Sequence, residues 1–132
     1  MSYLLDANTW IGFLNGRSDN IRRRLESTRP EEITLCSVVK AELFYGAVKS
    51  ARPTENLGRI ESFVEKFVSY PFDDAAARIY GDIRARLERF GKLIGPNDLL
   101  IAATALARGA TLVTHNTREF ARVEELMLED WE

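Results

Sequence analysis

The residues of this chain whose types and spacing could do chemistry are acids set within or beside apolar segments. Asp6 follows Tyr3-Leu4-Leu5 and opens the string Asp6-Ala7-Asn8-Thr9. Glu42 lies between Ala41 and Leu43-Phe44, in a segment that begins at Ser37 directly after Ile33-Thr34-Leu35-Cys36. Asp98 closes Gly95-Pro96-Asn97-Asp98, ahead of the uncharged run Leu99 to Ala107. Glu119 belongs to Thr114-His115-Asn116-Thr117-Arg118-Glu119-Phe120, which follows Thr111-Leu112-Val113. Each acid also has an ordinary structural explanation. Asp6 suits a helix N-cap, and Glu42 suits an ion pair with Lys49 or an arginine from elsewhere. Asp98 suits the first turn of a proline-led helix, and Asn116 with Glu119 has the spacing of a capping box.

What sets the acids apart is the set of elements that must position them. The short apolar runs Tyr3–Leu5, Ile33–Cys36, 67–71 and Thr111–Thr114 predict strands, with a further short strand within 127–131. Helical periodicity predicts helices over 8–15, 18–28, 38–50, 54–66, 74–90 and 97–108, with Gly109 placed to end the last of these. Alternating strands and helices imply an α/β fold of three layers, α/β/α, with a short, mainly parallel twisted sheet and right-handed crossovers. In such sheets ligands bind beyond the carboxyl ends of the strands, where the strand order reverses. Asp6, Glu42, Asp98 and Glu119 are all expected near that edge. A helix from Ser37 aligns Val38, Glu42, Tyr45 and Lys49 beside Val39, Leu43, Gly46 and Ala47, so Glu42 projects from a largely apolar neighbourhood. Convergent carboxylates raise one another's pKa and need a compensating cation.

Composition limits what that cation can be. The 132 residues contain one Cys and one His, Cys36 and His115, so zinc fingers, cysteine clusters and haem attachment are excluded. An all-oxygen site suits hard divalent ions, Mg²⁺ or Mn²⁺, which can activate water and neutralise a phosphodiester. The length predicts one domain over 1–132, large enough to form a core without disulfides. There is no apolar run long enough for a membrane span and no basic leader ahead of an apolar stretch, which predicts a cytoplasmic protein without membrane contact. Eighteen basic against 20 acidic residues, net charge −2, argue against binding nucleic acid by bulk attraction. Charge is nevertheless uneven. Arg22, Arg23 and Arg24 in one segment and Arg84, Arg86 and Arg89 in another are either solvated helix faces or tracks for a polyanion backbone.

Leu5-Asp6-Ala7-Asn8, Ala41-Glu42-Leu43 with Tyr45-Gly46-Ala47, Ile94 to Ala102, and Thr114 to Phe120 together resemble the motifs of PIN-domain ribonucleases. Their order and the ending Leu128-Glu129-Asp130-Trp131 look like VapC-type toxins of bacterial toxin–antitoxin pairs. The resemblance covers the whole chain. It implies a Mg²⁺- or Mn²⁺-dependent endoribonuclease, a homodimer, silenced by a VapB-type antitoxin. It also implies that Asp6, Glu42 and Asp98 form the acidic triad. Glu119 stands where the wider family has Asp, reaching the metal directly or through water. Asn8, Ser37 and Asn116 match polar positions that orient ligands or water.

Two other small α/β designs fit less well. A receiver module wants paired acids after the first strand and a Lys after the last, but Asp6 stands alone and no Lys follows Thr114. A phosphatase of the Asp-x-Asp type would need an acid where Asn8 stands. The remaining alternative is a catalytically inactive PIN scaffold that binds RNA or a protein.

Overall fold

The computed structural model describes residues 1–132. Five strands form one sheet: β1 (Tyr3–Leu5), β2 (Ile33–Cys36), β3 (Val68–Tyr70), β4 (Thr111–Val113) and β5 (Leu128–Glu129). The order is β3-β2-β1-β4-β5 and every neighbouring pair is parallel. Register is set by Leu4 opposite both Thr34 and Leu112, and Leu5 opposite Val113. The helices are α1 (Ala7–Leu14), α2 (Asp19–Ser27), α3 (Ser37–Lys49), α4 (Pro53–Val64), α5 (Asp74–Arg89), α6 (Pro96–Arg108) and the single turn α7 (Thr117–Phe120). The chain steps from β1 outward to β3, then returns across the sheet to β4 and β5. With right-handed crossovers this puts α1 to α4 on one face and α5 to α7 on the other.

Central strands that are covered on both faces read as unbroken apolar runs, and these do. Leu4, Leu5, Leu35, Leu112 and Val113 are fully buried. Trp10 of α1 is also fully buried and packs edge-on against Phe63 at 4.9 Å and against Phe67 at 5.2 Å between ring centroids. The apolar stripe Ile60, Phe63, Val64, Phe67 is therefore core. In α6, Leu99 and every residue from Ile101 to Ala105 are buried, as an all-apolar helix requires. None of the helices is long and apolar enough to cross a membrane.

The three-layer α/β expectation holds, and element ends differ from the predicted ones by a residue or two. Two short elements have no counterpart in the sequence reading: a 3₁₀ turn at Pro30–Glu32 and α7. Neither is long enough to show periodicity. Gly109 ends α6 with φ +61°, its N–H bonding Leu106 while that of Ala110 bonds Ala105. This Schellman closure aims the chain into β4. A Cβ at Gly109 meets open space, so Gly109→Ala isolates the left-handed backbone strain. It is expected to cost about 1 kcal/mol in urea unfolding with no change in m.

Candidate active site

The strand order reverses between β1 and β4, and both strands end in groups that meet across the gap. The Asp6 N–H bonds the Val113 carbonyl at 3.0 Å, extending the ladder by one residue. Asp6 is 7% exposed, and its two carboxylate oxygens are held separately. Oδ1 accepts from the Thr9 N–H at 2.9 Å and Oδ2 accepts from the Thr114 hydroxyl at 2.6 Å. Asp6 is thus the N-cap of α1, as its structural explanation supposed, and the cap itself fixes the carboxylate at the sheet's carboxyl edge. Thr114 is in turn oriented by the Asn116 N–H, which donates to its hydroxyl at 3.0 Å.

Glu42 and Asp98 are different in kind. Both are half-buried, and neither carboxylate accepts a hydrogen bond or makes an ion pair. Lys49, the partner offered to Glu42 by the sequence, instead places its ammonium over the Tyr45 ring, 5.6 Å from the centroid. Burial pushes the pKa of Glu42 up, and the charges of Asp98 and Asp6 push it further. Asp98 is raised by burial first, then by Asp6 and Glu119, despite its place in the first turn of α6. The four acids are therefore electrostatically coupled around one edge of the sheet. An unpaired, partly desolvated carboxylate is costly, and here two stand beside a third.

The capping box expected at Asn116 and Glu119 does not form. Asn116 turns its own N–H to Thr114, and its Nδ2 donates to Glu119 Oε2 at 3.3 Å. The one-turn helix α7 has no side-chain cap. Glu119 is thereby held near the other acids by an amide rather than consumed at a helix start. Ser37, the first residue of α3, shares a depression of about 350 Å³ with Glu42 and Asn97. Asn8 shares another of about 430 Å³ with Asp6, Arg17 and Asn116.

A hard divalent ion fits this donor set. It is all oxygen, negatively charged, and contains two carboxylates with no protein partner. The side chains do not close into a tight cage: the group of three His, Cys, Asp or Glu donors lying within 4.8 Å of one another is His115, Asp130 and Glu132. That exposed trio is already satisfied within the protein. His115 Nδ1 lies 3.0 Å from Asp130 and 3.2 Å from Glu132, and Glu132 also pairs with Arg17 at 3.4 Å.

Arg17 was missed by sequence reasoning. Gly16, at φ +65°, folds the end of α1 back so that the Arg17 guanidinium lies over Gly12. A Cβ at Gly12 would stand 2.8 Å from Arg17 Nη2. Arg17 also donates to the Asn8 carbonyl at 3.3 Å, and so borders the depression that holds Asp6. The detectable signal was Gly12 inside a helix, which marks a close approach. The two arginine clusters are largely spent on ion pairs. Arg22 pairs with Asp19, and Arg24 pairs with Glu129 and stacks on Trp131. Arg84 pairs with Glu88, and Arg86 pairs with Glu125. Arg23 and Arg89 make no ion pair.

The PIN domain family matches residues 3–126 of the chain. The chain is 41% identical to the tRNA(fMet)-specific endonuclease VapC of Shigella flexneri, covering 99% of this chain and 98% of that protein. It is 38% identical to Ribonuclease VapC2 of Rickettsia felis, over 100% of this chain and 99% of that one. Among solved structures it resembles a chain of DNA-bound VapBC from Salmonella typhimurium, with a TM-score of 0.93, 37% identity and coverage of 100% of this chain and 99% of that one.

Both Glu42 and Asp98 bind a proton more tightly in the folded chain than in the unfolded one. Their stabilising contribution is therefore present below the ordinary carboxylate range and is lost as pH rises through the raised folded values. In chelator, Asp98→Asn should match wild type near pH 4 and exceed it near pH 7, by up to about 1 kcal/mol after allowing for solvent screening. Urea unfolding across pH measures this, and a variant less stable than wild type at pH 7 would contradict it. Thr114→Val keeps the shape but removes the hydroxyl from Asp6 and is expected to lower activity about 10- to 100-fold.

Proposed function

Since the chain belongs to the PIN-domain family, among its VapC ribonucleases, we propose that it is a metal-dependent endoribonuclease that hydrolyses RNA phosphodiester bonds with water. The observation that carries this reading is the pair of half-buried, partnerless carboxylates, Glu42 and Asp98, beside an Asp6 fixed at the strand reversal. Asp6, Glu42 and Asp98 would hold Mg²⁺ or Mn²⁺, with Glu119 binding directly or through water. Such an ion neutralises charge on a phosphodiester and eases deprotonation of a nearby water.

The protein's part is positioning. Thr9 and Thr114 orient the two lobes of the Asp6 carboxylate, and Asn116 orients Glu119. Ser37 and Asn8 offer hydroxyl and amide groups at the rims of the two depressions, where substrate or water can be aligned. No side chain serves as a covalent nucleophile in this reading. Cys36 is buried with its thiol pKa pushed up by desolvation, which leaves little thiolate. Attack by water in line with the leaving 3′-oxygen gives a 5′-phosphate and a 3′-hydroxyl.

The relatives also bear on partners. The Salmonella structure is of VapBC, which supports a VapB-type antitoxin as the partner of this chain. A homodimer, a single PIN unit over 1–132 and a cytoplasmic setting complete the reading. The Shigella relative's name makes initiator tRNA the first substrate to try.

The test is cleavage of a tRNA pool with and without Mg²⁺. Wild type should cut only with the ion, while Asp6→Asn and Asp98→Asn should lose roughly 100-fold or more with unchanged circular dichroism. RNA binding without cleavage under all conditions would instead support a non-catalytic module.

A further inference from the structure

Two basic segments far apart in sequence meet beside α7. The end of α5 and the loop after it carry Arg86, Phe90 and Lys92, and α7 with its continuation carries Arg118, Arg122 and Glu124. These residues line a cleft of about 590 Å³. Arg86 is committed to a two-pronged pair with Glu125, at 3.0 and 2.6 Å. Lys92 and Arg118 make no ion pair or side-chain hydrogen bond, and Arg122 donates only to the Leu93 carbonyl at 3.1 Å. Three cations thus face a single lining carboxylate, Glu124. Phe90, which follows the last residue of α5, is 66% exposed, so its ring offers a face to the cleft rather than to the core.

Position gives the cleft its meaning. Arg118 immediately precedes Glu119, and the loop carrying Lys92 and Leu93 runs through buried Ile94 into Gly95 and Asp98. The Arg122 bond to Leu93 ties the two lips together. The cleft therefore borders the acidic edge on the side of Glu119 and Asp98. Uncompensated cations next to an open aromatic face match a chain of phosphates with unstacked bases.

We propose that this cleft docks the single-stranded RNA flanking the scissile bond, with Lys92, Arg118 and Arg122 on backbone phosphates and Phe90 stacked on a base. The proposal rests on the ribonuclease reading and adds where the substrate lies. It also moves the expected RNA track away from Arg22, Arg24 and Arg84, each of which has an acidic partner within the protein.

Binding of a fluorescent single-stranded RNA to the Asp6→Asn protein, measured by anisotropy over a range of salt, tests this. The Lys92→Gln/Arg118→Gln pair should flatten the plot of log affinity against log salt by about 0.7 per cation removed. Phe90→Ala should weaken binding by roughly 5- to 100-fold with the salt slope unchanged. Lys66→Gln, at the opposite end of the sheet, should affect the slope less than either cleft cation. Slopes and affinities equal to the parent's would overturn the proposal. So would unchanged RNA binding accompanied by a loss of self-association or of affinity for an antitoxin, since the cleft would then be a protein interface. Metal-dependent cleavage by the otherwise wild-type chain, followed in parallel, separates the two claims: cleavage with unaltered slopes sinks only the docking site, and absence of cleavage sinks the nuclease reading itself.

Discussion

The architecture turns on one contact, the 2.6 Å hydrogen bond from the Thr114 hydroxyl to Asp6 across the strands where the sheet order reverses. It joins residues 108 positions apart, so it can form only when β1 and β4 are paired in the observed register. A slip of one residue would turn Asp6 toward the other face and Thr114 away from it. The same carboxylate caps α1, which fixes the helix that carries Trp10 into the core. Folding and site assembly are therefore the same event at this point: the hydrogen bonds that start α1 and close the sheet also set the position of the acid.

The remaining acids show the opposite balance. Glu42 and Asp98 are carried to the edge by α3 and α6, which pack into the core through Val39, Leu43 and Ala47 and through Leu99 and Ile101 to Ala105. Their carboxylates receive nothing in return from the protein, and burial together with neighbouring charge disfavours their ionised forms. A sequence selected for stability alone would place Gln or Asn there. The contrast with His115, Asp130 and Glu132 is instructive, because that trio is closer-knit yet satisfied by its own members and Arg17. Proximity of acids by itself does not make a cation cradle, since a cluster satisfied by internal partners has less to gain from an ion.

Much of this was legible from local sequence, because a buried parallel strand is an apolar run and the residue that follows it is at the sheet edge. Asp6 was legible that way, whereas Glu42 was read from its place in a largely apolar helix and Asp98 from the buried helix that it leads. Thr114 was not legible, since threonine at a strand end is ordinary and its role depends on a partner at the other end of the chain. Arg17 was hidden for the same reason: its position comes from the turn at Gly16 and from Glu132. The basic clusters were misleading because local composition cannot see partners such as Glu129 for Arg24 or Glu125 for Arg86. The cleft between α5 and α7 was invisible for the converse reason, being assembled from segments that look unremarkable apart.

The claim that Glu42 and Asp98 are left unpaired in order to share a cation with Asp6 is tested most directly by calorimetric titration of Mn²⁺ into the purified chain, free of RNA. Wild type and Asp130→Asn should bind the ion alike, and Asp98→Asn should bind it far more weakly or not at all. Undiminished binding by Asp98→Asn, with loss in Asp130→Asn, would place the cation at the His115 cluster and contradict the account.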